Sequence, residues 1–498
     1  MIKKVVHHKI TEEQKECINA AKSKYNLKIK AFAGSGKTTT LVEIAKRLEG
    51  NGLYITFNKS IQNEATKKFS YNVDCRTAHS LAYQASKEII HNRIEELTMT
   101  YIKDLLCIKG MHGYEPLEIS FFILKLLRVY CNTDRETIDE SFASHGIFNI
   151  IRAKPYSKYQ IISYIIEEAK KYWQKCWMKD SSLPIEHDFY LKIYQLFKPD
   201  LSKTYQYILF DECQDASPVM LDIVTRQSCQ KIYVGDEHQQ IYEWRGAINA
   251  FNNIEGETYY LSQSFRFGEE IADKANIITK IKGEEKLLRG LECVNSQITS
   301  QIPEIHTRLC RTNSRIIQCV IDNPKIPMHI IGGNTEVINL AKSGYALYKN
   351  NIKKVRDKKL KQFRSWEIMK EFNKKYEDPD ITFLISIISK YGNYFYKIIL
   401  KLESANYVNE DCSKIILSTI HKSKGREWDN VVVEDDFLIF KKESKIKYTI
   451  INKIEELNLM YVAITRAKKK LLLISLFNTF LYKLKEELKS LDVQKNLN

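Results

Sequence analysis

Residues Ile29–Leu48 read IKAFAGSGKTTTLVEIAKRL: a short apolar run, a turn carrying Gly34 and Gly36, then Lys37-Thr38 at the head of a helix-forming segment. A phosphate-binding loop needs that order, a strand feeding a small-residue turn that opens a helix. Small residues let backbone N–H groups wrap phosphate oxygens at a helix N-terminus, where the helix dipole also favours anions. In such a loop Ala33, Gly34, Ser35, Gly36 and Thr39 belong to the cradle, Lys37 neutralises β/γ-phosphate charge, and Thr38 ligates Mg²⁺. Ala31 stands where the motif usually has its first glycine. An ordinary glycine turn before a helix is the bland alternative, and the G-K-T context outweighs it.

Around this loop the pattern is that of α/β domains. Apolar runs of strand length occur at LKIKAF, GLYITF, YQYILFDE, KIYVGD, MHIIGG, KIILSTIH, NVVVED and KKLLLISLF, and they predict buried, parallel strands. Helical periodicity follows several of them, as at Thr38 to Glu49 and Pro218 to Arg226, and strand-then-helix alternation implies parallel sheets. Two such clusters are interrupted by helical stretches, one around IISYIIEEAKKYWQKCW and one containing the lysine-rich NNIKKVRDKKLKQF and then DITFLISIISKYGNYFYKIILKL. The expected organisation is 1–84 with 200–262, interrupted by a helical insertion at 85–199, then 263–336 with 408–498, interrupted at 337–407. No internal repeat is evident.

The 498 residues are too many for one ordinary core. The 77 Lys and Arg against 61 Asp and Glu give +16, which favours a polyanionic partner, nucleic acid or an anionic membrane surface. No apolar run is long enough for a membrane span, and FFILKLLRVYC (Phe121 to Cys131) is broken by Lys125 and Arg128. The N-terminal stretch has no apolar signal region, so the expected location is intracellular, nucleus or cytoplasm, a cytoplasmic viral replication site included. Eleven scattered cysteines without a C-x-x-C pair suggest neither a disulfide framework nor a zinc site.

Two further stretches carry chemistry. YILFDECQD ends an apolar run in Asp211-Glu212; one carboxylate can hold Mg²⁺ while its neighbour activates the attacking water, a division that hydrolysis needs. VGDEHQQIYEWRGA, Val234 to Ala247, sets acids and amides beside Tyr242, Trp244 and Arg245. The aromatic pair and arginine suit either stacking on flat, anionic partners or packing in a core.

Taken together, these motifs resemble a superfamily 1 helicase of the UvrD/Rep type, in order along most of the chain. TEEQ resembles the adenine-reading Q motif with Gln14, YITFNKS motif Ia with Phe57 and Asn58, and RTAHSLA, with His79, the segment after it. The Lys37 loop and Asp211-Glu212 correspond to motifs I and II. The Val234 to Ala247 stretch falls on motif III, where the resemblance assigns Gln239 to the γ-phosphate and Tyr242, Trp244 and Arg245 to single-stranded DNA. LSQSFRF resembles motif IV and YVAITRAKK motif VI, whose Arg266 and Arg466 would act on the γ-phosphate from a second RecA-like domain. An arginine finger in phosphoryl transfer is worth roughly 10³ to 10⁵ in rate. STIHKSKGREWDNVVV resembles motif V, with Thr419, His421 and Lys422 near DNA or the motor interface and Glu427 near the ribose.

The resemblance therefore implies an α/β fold of two RecA-like P-loop NTPase domains, each with a mainly helical insertion. It implies an ATP- and Mg²⁺-dependent helicase moving 3′→5′ on single-stranded DNA and opening duplexes at single-strand junctions, as a monomer, in repair, recombination or replication. TFNKS, HKSKGREW, EELNLMYVAITRAKK and Asn458 resemble the F-box DNA helicase branch most. The expectation is that this chain has no room for an F-box before Gln14, nor for a nuclease domain after motif VI. A translocase that strips proteins without unwinding, or a non-catalytic nucleic-acid-binding subunit, remain the alternatives. Insertion lysines such as Lys353, Lys354, Lys358 and Lys359 form either a phosphate contact or a solvated face. Trp244→Ala is expected to bind ATP yet lose DNA stimulation; DNA-dependent turnover equal to the parent's would sink the assignment.

Overall fold

The computed structural model describes residues 10–90, 92–178, 181–242, 250–357, 359–376, 378–437, 454–474 and 477–486. The chain divides into two compact units, Met1–Phe148 with Ala153–Phe265, and Asn149–Arg152 with Arg266–Asn498. The α/β architecture and parallel sheets expected from the apolar runs are present in both.

In chain order the first unit contains α1 (Glu12–Ala21), β1 (Leu27–Ala31), α2 (Lys37–Ala45), β2 (Gly52–Thr56), α3 (Lys59–Thr66), β3 (Val73–Thr77) and α4 (Ala78–Ile90). The helices α5 (Met99–Leu105), α6 (Pro116–Asn132), α7 (Pro155–Cys176) and α8 (His187–Leu196) come next. They are followed by β4 (Tyr207–Phe210), α9 (Pro218–Thr225), β5 (Gln230–Gly235) and β6 (Glu257–Leu261). The strands form one parallel sheet of order β3-β2-β4-β5-β1-β6. Every residue of β2 and β4 is buried, as befits strands covered on both faces. Tyr54, Leu209, Ile232 and Leu27 lie side by side across four strands, and all four are 0 % exposed.

The apolar segment Phe121 to Cys131 lies in α6, whose Ile119, Phe122, Ile123, Leu126, Leu127 and Tyr130 are buried. It packs on α5, α7 and α8, with the Trp173 ring edge-on to both Tyr130 and Phe189. Lys125 lies over the Phe121 ring at 5.5 Å, an amphipathic stem covering apolar surface. Among the described residues, no helix is long and apolar enough to cross a membrane.

The second unit begins with α10 (Glu269–Ile281), β7 (Gln297–Ile298), β8 (His306–Cys310), α11 (Asn313–Asp322) and β9 (Met328–Ile330). Four helices follow: α12 (Thr335–Tyr348), α13 (Trp366–Tyr376), α14 (Pro379–Tyr391) and α15 (Phe395–Ser404). The chain then returns through β10 (Ile415–Thr419), α16 (Ile420–Ser423), β11 (Trp428–Val433), α17 (Ile454–Ile464) and β12 (Ala467–Leu473). This parallel sheet has the order β7-β12-β11-β8-β10-β9. Helices α12 to α15 share one continuous core with α11, β9 and β10, in which Val320, Met328, Leu347, Leu384, Phe395 and Leu417 all take part.

Strands β3, β6, β7 and β8 have no counterpart among the apolar runs. β3 and β6 are sheet edges, where Asp74, Arg76 and Glu257 reach solvent. β8 is central, yet it carries Arg308, which pairs at 2.7 Å with the fully buried Glu434. A buried charge that is paired this closely is compatible with a central strand, and its partner lies 126 residues away in sequence. Leu209→Ala is expected to destabilise the first unit by about 2–5 kcal/mol, read from its chemical denaturation midpoint; a loss below about 1 kcal/mol would mean that the sheet collapses around the cavity.

Candidate functional site

In the first unit the residues expected to handle phosphate converge on the carboxyl ends of the strands. β1 ends at Ala31, and the loop returns through Gly34 at φ 75° and Gly36 at φ 79°. A Cβ on Gly36 would meet Gln14 Nε2 at 3.1 Å and the Phe265 ring at 3.5 Å, so both its conformation and its surroundings call for glycine. Gly36 gives α2 no side-chain cap, which leaves the helix N-terminus for an anion. Ser35 is buried, and its Oγ has no hydrogen-bond partner among the described residues. Thr38 is half-buried and Thr39 exposed in the first turn of α2.

Gln14 serves this loop indirectly. Its Nε2 donates to Thr40 Oγ1 at 3.0 Å, its Oε1 accepts from Thr11 N at 3.0 Å, and Thr40 Oγ1 donates to Gly36 O at 3.1 Å. Glu13, next to it, accepts from Ser262 N and Ser262 Oγ. Helix α1 is thereby fastened to both the loop and the exit of β6.

The carboxylates come from β4. Lys37 Nζ lies 3.0 Å from Glu212 Oε1, with both side chains largely buried. Burial alone would lower the Lys37 pKa, but the charges of Glu212, Asp211 and Asp236 outweigh it and hold it above the ordinary lysine value. Asp211 is 2 % exposed, and burial, followed by the adjacent Glu212 charge, raises its pKa to about 6. Lys37 and two hydrogen bonds work the other way, Tyr54 OH donating to Oδ2 at 2.7 Å and Glu212 N to Oδ1 at 2.9 Å. Burial and the Asp211 charge hold the Tyr54 phenol well above its usual pKa, so it remains a donor. Glu212 itself has left-handed backbone, φ 54°, a strained conformation for a side chain of this size.

A relay of amides links these acids to the end of β5. Gln214, fully buried, donates through Nε2 to Glu212 Oε2 at 2.6 Å and accepts through Oε1 from Asp236 N at 2.9 Å. Asp236 in turn accepts from His238 N at 3.0 Å and from Gln239 Nε2 at 2.6 Å. A Cβ on Gly235 would sit 2.3 Å from Gln214 Oε1, so the approach depends on glycine. Gln239 is thus coupled to the acid pair through two residues, Gln214 and Asp236, that the sequence reading did not single out. Their signal was the amide two positions after Glu212 and the acid four residues before Gln240.

Of the residues expected at DNA, Phe57 and Tyr242 stack with ring centroids 5.1 Å apart and planes at 20°. Phe57 directly follows β2, and Tyr242 lies beyond the 3-10 turn that follows β5. Asn58 caps α3 by accepting from Ile61 N at 2.9 Å. His79 Nε2 lies 3.1 Å from Asp188 Oδ1, its ring edge-on to Tyr190. Trp244 and Arg245 lie outside the described residues, as does Lys358.

In the second unit Arg266 donates to Glu427 Oε2 and to Thr465 O, both at 2.7 Å. Arg466 is 1 % exposed, its guanidinium donating to Val462 O at 3.0 Å and Arg426 O at 3.1 Å. Its own carbonyl accepts from Trp428 N at 3.0 Å. Arg266, Glu427 and the Thr465-Arg466 turn therefore form one group, in which Arg266 holds an acid and Arg466 braces the backbone. Thr419, at the end of β10, caps α16 by accepting from Lys422 N at 3.3 Å. Lys422 pairs with Glu336 at 2.7 Å, and His421 precedes it in α16.

The chain is similar to known helicases. The profile of the UvrD/REP helicase N-terminal domain matches residues 10–258. F-box DNA helicase 1 of Gallus gallus is 30 % identical over 93 % of this chain and 49 % of its own length. F-box DNA helicase protein 1 of Schizosaccharomyces pombe is 32 % identical over 93 % of this chain and 57 % of its own. A probable DNA helicase II homolog of Mycoplasma genitalium is 24 % identical over 56 % of this chain and 44 % of its own. The chain thus spans about half the length of the first two.

The Asp211 environment has a pH consequence. A carboxyl whose pKa burial raises to about 6 holds its proton below that pH, and a metal bound there would have to displace it. Mg²⁺-dependent binding of an ATP analogue is expected to weaken as pH falls through 6. Tyr54→Phe removes a hydrogen bond that favours the ionised form and should move that midpoint upward; fluorescence titrations from acid to neutral pH with an unmoved midpoint would exclude Tyr54 from this role.

Proposed function

This chain belongs to the UvrD/REP helicase family, and from that premise we propose that it is an ATP-hydrolysing DNA motor. The observation that carries the reading is the convergence of Lys37, Asp211 and Glu212 at the carboxyl ends of β1 and β4, beside an uncapped helix N-terminus. The donor set fits a phosphate chain and a hard divalent cation: a hydroxyl at Thr38, a carboxylate at Asp211, loop N–H groups and the orphaned Ser35 hydroxyl. Mg²⁺ bound there would neutralise charge on the transferred phosphoryl group.

In this reading Lys37 exchanges Glu212 for the β- and γ-phosphates. Glu212, released from the lysine, orients and deprotonates the attacking water, while Gln214 and Tyr54 keep the two carboxylates in their separate tasks. Gln239, attached to the same network through Asp236, reports the γ-phosphate to the Tyr242 segment. Phe57 and Tyr242 supply a stacking surface for bases, each stack contributing about 1–3 kcal/mol. Gln14 reads adenine from α1, and the family resemblance assigns Arg266 and Arg466 to the γ-phosphate and Glu427 to the ribose.

The finer reading follows the family. We infer 3′→5′ movement on single-stranded DNA, unwinding at single-strand/duplex junctions, activity as a monomer, and a role in repair, recombination or replication at an intracellular site. The domain limits proposed are 1–84 with 200–262, 85–199, 263–336 with 408–498, and 337–407.

ATP turnover by the purified chain, measured alone, with single-stranded DNA and with single-stranded RNA, tests the core of this. Stimulation by DNA is expected, with Lys37→Ala reduced to background. Lys37→Ala leaves two buried carboxylates without their counter-charge, so Lys37→Arg, which keeps the charge, and a melting curve serve as controls. Turnover no higher than in these variants would replace the motor with a binding subunit. Displacement of a strand from 3′-tailed but not 5′-tailed duplexes tests the direction.

A further inference from the structure

The helical segment after β9 carries an aromatic and basic surface that neither the nucleotide site nor the motor track uses. Residues 337–356 contain five Lys or Arg and no acid, and residues 381–402 contain three Lys and no acid. The fold brings these two acid-free stretches together. Tyr345 OH, on α12, donates to Asn393 O at 3.1 Å, and Lys349 Nζ donates to Asn393 Oδ1 at 2.9 Å. The break that allows this is Gly392, at φ 50° between α14 and α15.

Beside that junction Tyr394 and Tyr396 face outward, whereas Tyr345, Tyr348 and Tyr391 pack against the core. Tyr394 is 68 % and Tyr396 47 % exposed, while Phe395, Ile398 and Leu402 turn inward into the core. Lys397 lies 5.3 Å from the centre of the Tyr394 ring, and Lys390 5.3 Å from that of Tyr391. Lys353 and Lys354 follow α12 in an exposed 3-10 turn at the same end. Of the lysine run in the sequence, Lys359 is different: it pairs with Asp378 at 2.6 Å and belongs to the fold.

We propose that Tyr394 and Tyr396, flanked by Lys353, Lys354, Lys390 and Lys397, form a second docking surface for single-stranded nucleic acid, stacking unpaired bases and neutralising phosphates. Two exposed rings among several lysines match a strand with flat bases on an anionic backbone, and the nearby acid Glu403 is paired with Lys342. On the exposed face of α15, Tyr396 and Leu400 are interrupted by Lys397, Lys401 and Glu403, so it lacks the continuous apolar stripe that insertion into a lipid surface needs. The surface rests on the nucleic-acid reading of the chain and uses none of the residues assigned to the ATP chemistry.

The test uses the whole chain and a poly-dT strand carrying 5-iodouracil, photo-crosslinked and mapped by peptide mass spectrometry, with binding measured by anisotropy. Adducts at Tyr394 or Tyr396 are expected. Each tyrosine-to-Ala variant should lose about fivefold or more in affinity, while Tyr394→Phe and Tyr396→Phe keep it. Lys353→Gln with Lys354→Gln should flatten the dependence of log affinity on log salt by about 0.7 per lysine. Adducts elsewhere but none at these tyrosines, with Ala variants binding as the parent does, would overturn the surface and leave the motor standing. No adduct anywhere and no DNA binding would overturn both. Equal losses in the Ala and Phe variants, or a loss for blunt duplex only, would also overturn base stacking here.

Discussion

Two adjacent carboxylates are buried at the end of a central strand, and the first unit is arranged around tolerating them. Asp211 and Glu212 leave β4 where water is largely excluded, and unpaired charges in such a place are prohibitively costly. Lys37 supplies the opposite charge, Tyr54 and Gln214 supply hydrogen bonds, and the left-handed backbone at Glu212 turns the second acid toward the lysine. A phosphate chain with its metal ion presents the same problem in other terms. A site that sets Lys37 against carboxylates has the charge balance to exchange one anion for another.

The amides carry this arrangement further. Gln214 holds Glu212 with one end and the Asp236 backbone with the other, and Asp236 holds Gln239. The consequence is that the ends of β4 and β5 cannot be repositioned independently. Tyr242, three residues beyond Gln239, stacks on Phe57 at the end of β2, so a contiguous path of hydrogen bonds and packed residues joins acid pair and aromatic surface. In the second unit a comparable economy of contacts occurs: Arg466 braces the turn from which Thr465 O receives Arg266.

Much of this was legible in the sequence for identifiable reasons. Phosphate loops and strand-end acids are local patterns, because the loop's glycines and lysine must be adjacent in the chain to work. Apolar runs announced β1, β2, β4 and β5 since both faces of these strands are covered. The edge strands β3 and β6 escaped notice because half of their side chains meet solvent, and β8 because its charge is neutralised by Glu434 from a distant strand.

By itself, then, the sequence determined the α/β class, the phosphate loop, the acid pair and the order of the motifs, all of which depend on neighbours in the chain. Only the tertiary structure decided which groups share a proton or a charge. It gave Tyr54 to Asp211, Glu212 to Lys37, Glu427 to Arg266 and Thr40 to Gln14. It also joined the two acid-free stretches at Asn393. Such pairings join residues far apart in the chain, and their strength depends on burial and on distances of about 3 Å, which residue order alone does not encode.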